Sequence, residues 1–308
     1  MREVALWWAN SRGCWDQGLL LAMLNGDLWP TAGVRWREFQ GEPPPRDQGA
    51  VVVVSGIMLD RKPEECAVIR EIVAAMPWCV LIHTGDESWE FDTHVFEKPR
   101  LKLWMVHPMP GTPQWGHRQR LLGWPWPSRQ TLRETSLKPL SERRLDWCFA
   151  GHTFEHPSRA RLVQLLSTLS GGEVHVSGGF AQGLPQPDFL RLLAETRIVP
   201  CPAGHKTYES LRMFECIEAG CLPVSEREPL CWRQETPPDF WGPILGGPPP
   251  WPLVDTWEQL PDLLAKYQAD PVGLQQAANK VGAWWQLYKR QYVLDLLDDI
   301  VEVSGEPI

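Results

Sequence analysis

Ser210, Arg212 and Glu215 are spaced so that a helix starting near Ser210 would carry a hydroxyl, a guanidinium and a carboxylate on its first turns. The helix dipole disfavours a cation in the first turn by about 0.3–1 kcal/mol. An anion bound at the helix start, where backbone N–H groups are free, removes that cost. These residue types suit a phosphate. The same spacing also fits an ordinary Arg212–Glu215 surface pair, worth only about 0.2–0.5 kcal/mol, and the pair alone does not separate the two. A second candidate pair, Asp86 and Glu87, follows an apolar run and the turn Thr84-Gly85. A carboxylate held there could remove a proton as general base, or simply serve the turn. Asn10, Ser11 and Arg12 could line a cleft in the same way, or form a plain turn.

The elements that must position these groups can be read from spacing. Leu211, Phe214 and Ile217 recur at helical intervals, Ser210 or Thr207 is available as N-cap, and Gly220 stops the helix. A short buried strand precedes it at Arg197–Pro200, with the polar loop from Cys201 between, and a second strand opens at Leu222. Upstream, the spacing predicts strands at Val4–Ala9, Ala50–Val54, Trp78–His83 and Leu103–His107, with helices from Asp16 to about Leu24 and from Pro63 to Ala75. Val51 to Val54 form a β-branched run of the kind covered on both faces. From Pro108 to Arg144 the pattern fades into the most basic part of the chain, punctuated by Trp115, Trp124 and Trp126, with a short helix near Arg118–Leu122. It reads as a linker between domains, or as a basic, aromatic groove for nucleic acid. A second series starts at Leu145–His152 and continues with a helix at Pro157–Leu169, a strand at Glu173–Ser177 and a helix at Pro187–Glu195. After a Pro/Gly/Trp-rich loop, Glu235–Pro252, helical segments at Thr256–Tyr267 and Gly273–Leu297 close the chain. Strands alternating with helices imply parallel α/β sheets.

Composition narrows the classes. At 308 residues the chain suits two domains. A net charge of -8 argues against a surface that grips nucleic acid everywhere. The 8 Cys lie mostly in apolar runs with no Cys-x-x-Cys pair, as reduced core thiols of a cytoplasmic protein would. No basic-then-apolar leader and no run of ~18 apolar residues stands in the sequence. The 18 Trp and 30 Pro often fall together, as in Trp124-Pro125-Trp126-Pro127, and read as stiff loops whose tryptophans pack on the domains or stack on sugars or bases. Gly-x-Gly-x-x-Gly, P-loop, Asp-x-Asp and Gly-x-Ser-x-Gly motifs are all lacking, which removes the phosphate cradles, diphosphate-metal motif and nucleophile elbow of several enzyme classes.

Residues 196–224 carry one further pattern: Pro202-Ala203-Gly204, then Ser210-Leu211-Arg212-Met213-Phe214-Glu215, then Ala219-Gly220-Cys221-Leu222-Pro223-Val224. This order resembles the signature of exostosin-like glycosyltransferases of the GT-B type. Phe149-Ala150-Gly151 followed by Arg159 is similar to the opening of the same donor domain, so the resemblance covers roughly 145–230. It implies two Rossmann-like domains facing each other across a cleft, at 1–140 and 141–275, with a helix at 276–308 packing back toward the first.

The resemblance further implies a nucleotide-sugar donor, UDP-linked rather than GDP-linked, and transfer of a hexose or related sugar to a hydroxyl acceptor. Ser210 and Arg212 would hold the diphosphate and Glu215 the ribose, while Gly151, His152, Arg159, Pro202, Gly204 and Tyr208 would complete the donor site. The carboxylate that many retaining relatives place seven residues before the helix Glu falls here near Thr207 or Tyr208, neither acidic. An inverting mechanism follows, with Asp86 or Glu87 as base and neither metal nor cofactor. The acceptor would be a glycan or polysaccharide precursor, or a hydroxymethylated base of phage-type DNA. A non-catalytic nucleotide-binding or glycan-binding module is the remaining alternative. The membrane anchor of animal exostosins has no counterpart in this sequence, so their acceptor does not transfer with the motif.

Overall fold

The structure, a computed structural model, describes residues 2–9, 34–55, 62–84, 93–105, 117–119, 137–154, 156–179, 182–204, 208–228 and 240–307. The chain divides into two compact units, Met1–Leu122 with Tyr288–Ile308, and Gly123–Leu287.

The first unit is built on β1 (Arg2–Trp8), β2 (Val34–Gln40), β3 (Ala50–Ser55), helix α1 (Pro63–Ala75), β4 (Cys79–Thr84), β5 (Leu101–Met105) and β6 (His117–Gln119). The strands form one sheet in the order β2-β1-β3-β4-β5-β6, and every pairing is parallel. Every residue of β3 and β4 is buried, as expected for apolar runs covered on both faces. Helix α1 turns Ile69, Ile72 and Val73 into a core that includes Val52, Leu81 and Leu103. Lys98 donates to Val73 O at 2.8 Å, placing a cation at the end of α1 where the dipole favours one. Two strands escape the sequence reading. In β2, Arg35, Arg37 and Glu38 are exposed at a sheet edge, which breaks the apolar run that marks inner strands. β6 occupies His117–Gln119, where a short helix is expected from Arg118. The expected helix from Asp16 lies outside the described residues.

The second unit comprises β7 (Leu145–His152), α2 (Pro157–Leu166), β8 (Gly172–Ser177), α3 (Gln186–Ala194), β9 (Thr196–Pro200), α4 (Leu211–Glu218), β10 (Leu222–Glu226), α5 (Trp241–Leu245), β11 (Leu253–Val254) and α6 (Leu260–Ala269). Its sheet is again all parallel, in the order β11-β10-β9-β7-β8. Helix α5 and the two-residue strand β11 are absent from the sequence reading here; each is too short, in or beside a Pro/Gly-rich loop, to leave a periodicity. The last helix, α7 (Pro271–Ser304), begins in this unit and ends in the first, where Trp104 Nε1 donates to Asp299 Oδ2 at 2.7 Å.

Two packing features fix the second sheet. Trp147 stands beside Gly172 in register, and a β-carbon on Gly172 would meet the indole at 2.1 Å, so the glycine makes room for the ring. Arg143, only 3% exposed, is held by carbonyls instead of a carboxylate. It donates to Lys138 O (3.1 Å), Thr196 O (2.8 Å) and Ala219 O (2.9 Å), joining the segment before β7 to the end of α4. Gly220 closes α4 with φ +68°, a backbone region in which glycine carries no β-carbon penalty.

An aromatic chain surrounds α4. Ring centroids 5.0 to 6.0 Å apart lead from Tyr208 through Phe240, Trp241, Trp251, Trp284 and Trp285 to Phe214 on α4 itself. Trp285 Nε1 also donates to Glu218 on the same helix at 2.7 Å.

Candidate functional site

In an open parallel sheet, ligands settle beyond the carboxyl ends of the strands where the strand order reverses. In the second unit β8 lies on one side of β7 and β9 to β11 on the other, so the reversal falls between β7 and β9. β7 delivers Gly151 and His152 to that edge, and β9 delivers Pro202 to Gly204 in the loop after it. Helix α4 begins just beyond.

Ser210 occupies the N-cap position of α4 with an extended backbone (φ -141°, ψ 150°) but makes no side-chain capping bond, and its buried Oγ has no partner. Arg212 does not point outward as a surface pair would. Its guanidinium packs over Phe149 at 5.4 Å and Phe189 at 5.9 Å, and its buried Nε has no hydrogen-bond partner. A β-carbon on Gly151 would lie 2.8 Å from Nη1. Each buried unpaired donor costs about 1–3 kcal/mol. Two of them beside the first turn of a helix form an electropositive spot fitted to an anion. One turn on, burial pushes the Glu215 carboxyl up to about 7, and the nearby Arg212 charge holds it from rising further. Its side chain is still partly solvent-accessible.

The remaining expected residues divide by what they do. Arg159, 8% exposed, donates from Nε and Nη2 to Ala203 O at 3.2 and 2.9 Å, and from Nη1 to His152 Nε2 at 3.2 Å. It fastens the loop after β9 to the end of β7. Gly204 N–H donates to Glu209 O at 3.0 Å, folding the loop back on itself. Tyr208 is buried against Phe240, and Pro202 is buried as well. Gly151, His152, Arg159, Pro202, Gly204, Tyr208, Ser210, Arg212 and Glu215 are thus all described in one unit around one sheet edge. Asp86, Glu87 and Thr207 lie outside the described residues.

Two carboxylates at this edge escape the sequence reading. Glu209 is 9% exposed, next to the non-acidic Tyr208. Glu226, the last residue of β10, is equally buried and accepts from Ser158 Oγ, which itself accepts from Trp257 Nε1 at 2.9 Å. Burial raises the Glu226 carboxyl above its ordinary value, the Ser158 bond opposing the rise. The available signal was a charged residue ending a wholly buried strand.

Of the basic stretch, Lys138 pairs with Glu195 at 2.7 Å and Arg144 with Glu173 at 2.8 Å, while Arg143 is buried as above. Among the described residues, no group of three or more His, Cys, Asp or Glu could hold a metal ion. No described helix is long and apolar enough to cross a membrane.

No family model and no curated protein matches the chain. Among solved structures it is similar to an alpha-glucosyltransferase in complex with UDP and a 13-mer DNA containing a central A:G mismatch, at 9% identity and TM-score 0.49, covering 98% of this chain and 99% of that one. A second similar structure is alpha-glucosyltransferase in complex with UDP-glucose and DNA containing an abasic site, at 8% identity and TM-score 0.48, covering 98% and 99%. A third is an alpha1,3-fucosyltransferase, at 9% identity and TM-score 0.46, covering 94% and 90%. Likeness at this level carries no functional argument.

Proposed function

We propose that the protein is a nucleotide-sugar-dependent glycosyltransferase of the GT-B type, related to the exostosin-like enzymes, which works in the cytoplasm. It moves a hexose or related sugar from a UDP-linked donor to a hydroxyl of a glycan or polysaccharide precursor. The observation that supports this reading most is Arg212. A cation sits in the first turn of α4 against Gly151, at the point where the strand order reverses, with its Nε and the Ser210 hydroxyl still unpaired.

Diphosphate oxygens at the start of α4 would pair those donors, and the ribose hydroxyls would donate to Glu215. As the sugar–phosphate bond breaks, negative charge grows on the leaving diphosphate, where Arg212 and the helix start stabilise it without a metal. Asp86 or Glu87 removes the acceptor proton, and displacement at the sugar C1 inverts its configuration. Transfer to hydroxymethylated DNA is the other acceptor reading. Arg143, buried against backbone carbonyls, does not serve it.

Thermal unfolding with a panel of UDP and GDP sugars tests the donor site. A UDP sugar should raise the midpoint in the wild type and not in Arg212→Ala. No shift with any donor, or the same shift in the variant, removes the assignment. Mass spectrometry of glycan and hydroxymethylcytosine-DNA acceptors then separates the two acceptors. Proton NMR of the product anomer tests inversion, and unchanged turnover in a chelator tests metal independence.

A further inference from the structure

Glu226 ends β10 at the carboxyl edge that carries the site. Val224 pairs with Pro200 on β9, and Trp147 on β7 pairs with Ile198 on β9. Continuing both registers sets Glu226 and Gly151 level with Pro202, separated by two strand spacings of about 4.8 Å each. The link is also direct. Ser158 and Arg159 are neighbours in the first turn of α2; Ser158 holds Glu226, while Arg159 holds Ala203 and His152.

One carboxylate oxygen, Oε2, is anchored from behind by Ser158. The Trp257 indole also bonds to the carboxyl, and Arg161 and Glu258 lie within electrostatic reach of it; neither of its oxygens is among the buried atoms left without a hydrogen bond. A mostly buried carboxylate fixed by Ser158 at the end of a strand is a rigid acceptor, and a carboxylate has lone pairs for more than one donor. Hydroxyl groups are what it would bind, because they donate to it without adding charge. An anion would be repelled, which keeps the diphosphate at Arg212 and Ser210.

Resting on the proposed donor site, we propose that Glu226 binds hydroxyls of the transferred sugar and so sets which nucleotide sugar is accepted. The nucleotide's diphosphate lies at α4, and its sugar extends along the edge toward β10.

Calorimetric titration of the full chain with UDP, UDP-glucose, UDP-galactose and UDP-N-acetylglucosamine tests this. In Glu226→Gln, affinity for the preferred UDP sugar should fall about tenfold or more, as for a lost hydrogen bond to a charged group, while affinity for UDP stays unchanged. An equal loss for UDP and the sugar donor, or no loss for either, overturns the proposal. Should Glu226→Gln fail to fold, Ser158→Ala removes the anchor and keeps the carboxylate; the same selective loss is expected, and its absence is equally decisive. If the wild type binds neither UDP nor any donor, the donor-site reading itself fails, whereas intact UDP binding with an unaltered sugar preference in the variants sinks only the role of Glu226.

Discussion

Arg212 and Gly151 are in contact across the site: a β-carbon at 151 would fall 2.8 Å from Nη1 and 3.0 Å from Nη2 of the guanidinium. Gly151→Ala must therefore push Arg212 out of place. The neighbour is a flexible side chain and not backbone, so the loss of stability should be small, about 1 kcal/mol. The loss of UDP affinity should be about tenfold or more, because the cation leaves the helix start. Gly183→Ala, where an added β-carbon meets nothing within 4 Å, is the control. Equal UDP affinity in both variants would show that Arg212 is not a ligand-binding group.

Glu215 gives the protein a pH dependence of defined sign. Its folded-state carboxyl is raised to about 7, above its ordinary value, because burial disfavours the charged form. The folded protein therefore holds this proton more tightly than the unfolded chain does. Its contribution to stability is complete below the ordinary carboxylate pKa and is lost as pH rises toward 7. Allowing for the solvent its side chain still reaches, the loss is on the order of 1–2 kcal/mol, and Glu215→Gln should flatten it in urea titrations between pH 4.5 and 7.5. Donor affinity should move the opposite way, rising through pH 7 as the ribose hydroxyls gain a charged acceptor. A pH-independent dissociation constant between pH 6 and 8 would exclude Glu215 from the ribose contact.

Arg143 is a buried cation that donates to the backbone carbonyls of Lys138, Leu193, Thr196 and Ala219 and to Cys221 Sγ. Arg143→Met fills similar space and leaves those carbonyls unpaired, so unfolding should become easier by about 3 kcal/mol. Arg143→Lys should recover only part, since an ammonium lacks the planar fork. Chemical denaturation measures both; a loss below about 0.5 kcal/mol, typical of surface sites, would mean the carbonyls find other donors.

How far the sequence discloses this arrangement depends on which physical signal each residue leaves. Val51–Val54 and helix α1 are legible because burial on two faces, or on one stripe, writes itself as an apolar pattern. Arg212 is legible because a cation opposing the helix dipole is a local anomaly. Arg143 and Arg159 leave no such trace: their use is decided by carbonyls distant in sequence, and a basic residue spent internally looks like one that faces solvent. β2 is hidden for the converse reason, since a sheet edge tolerates Arg35 and Arg37 that an inner strand would reject. Glu226 combines both cases, a charge whose meaning depends on Ser158, 68 positions away.

Asp86→Asn and Glu87→Gln separate binding from chemistry. At least one should retain the UDP-sugar affinity of the wild type while transfer falls by 10²-fold or more, the scale of a lost general base. Full turnover in both would assign the base elsewhere, with Glu209 the next carboxylate to replace.

The rings linking Tyr208 to Phe214 have an optical consequence. Indoles 5.2 to 6.0 Å apart, at Trp241, Trp251, Trp284 and Trp285, are close enough to pass excitation among themselves before they emit. Trp285 is pinned to α4 by both Phe214 and Glu218. Light absorbed anywhere along the array thus reports on one helix, and the protein carries its own fluorescent gauge of whatever settles at Ser210 and Arg212. Saturating UDP should change the emission of the wild type and leave that of Arg212→Ala untouched.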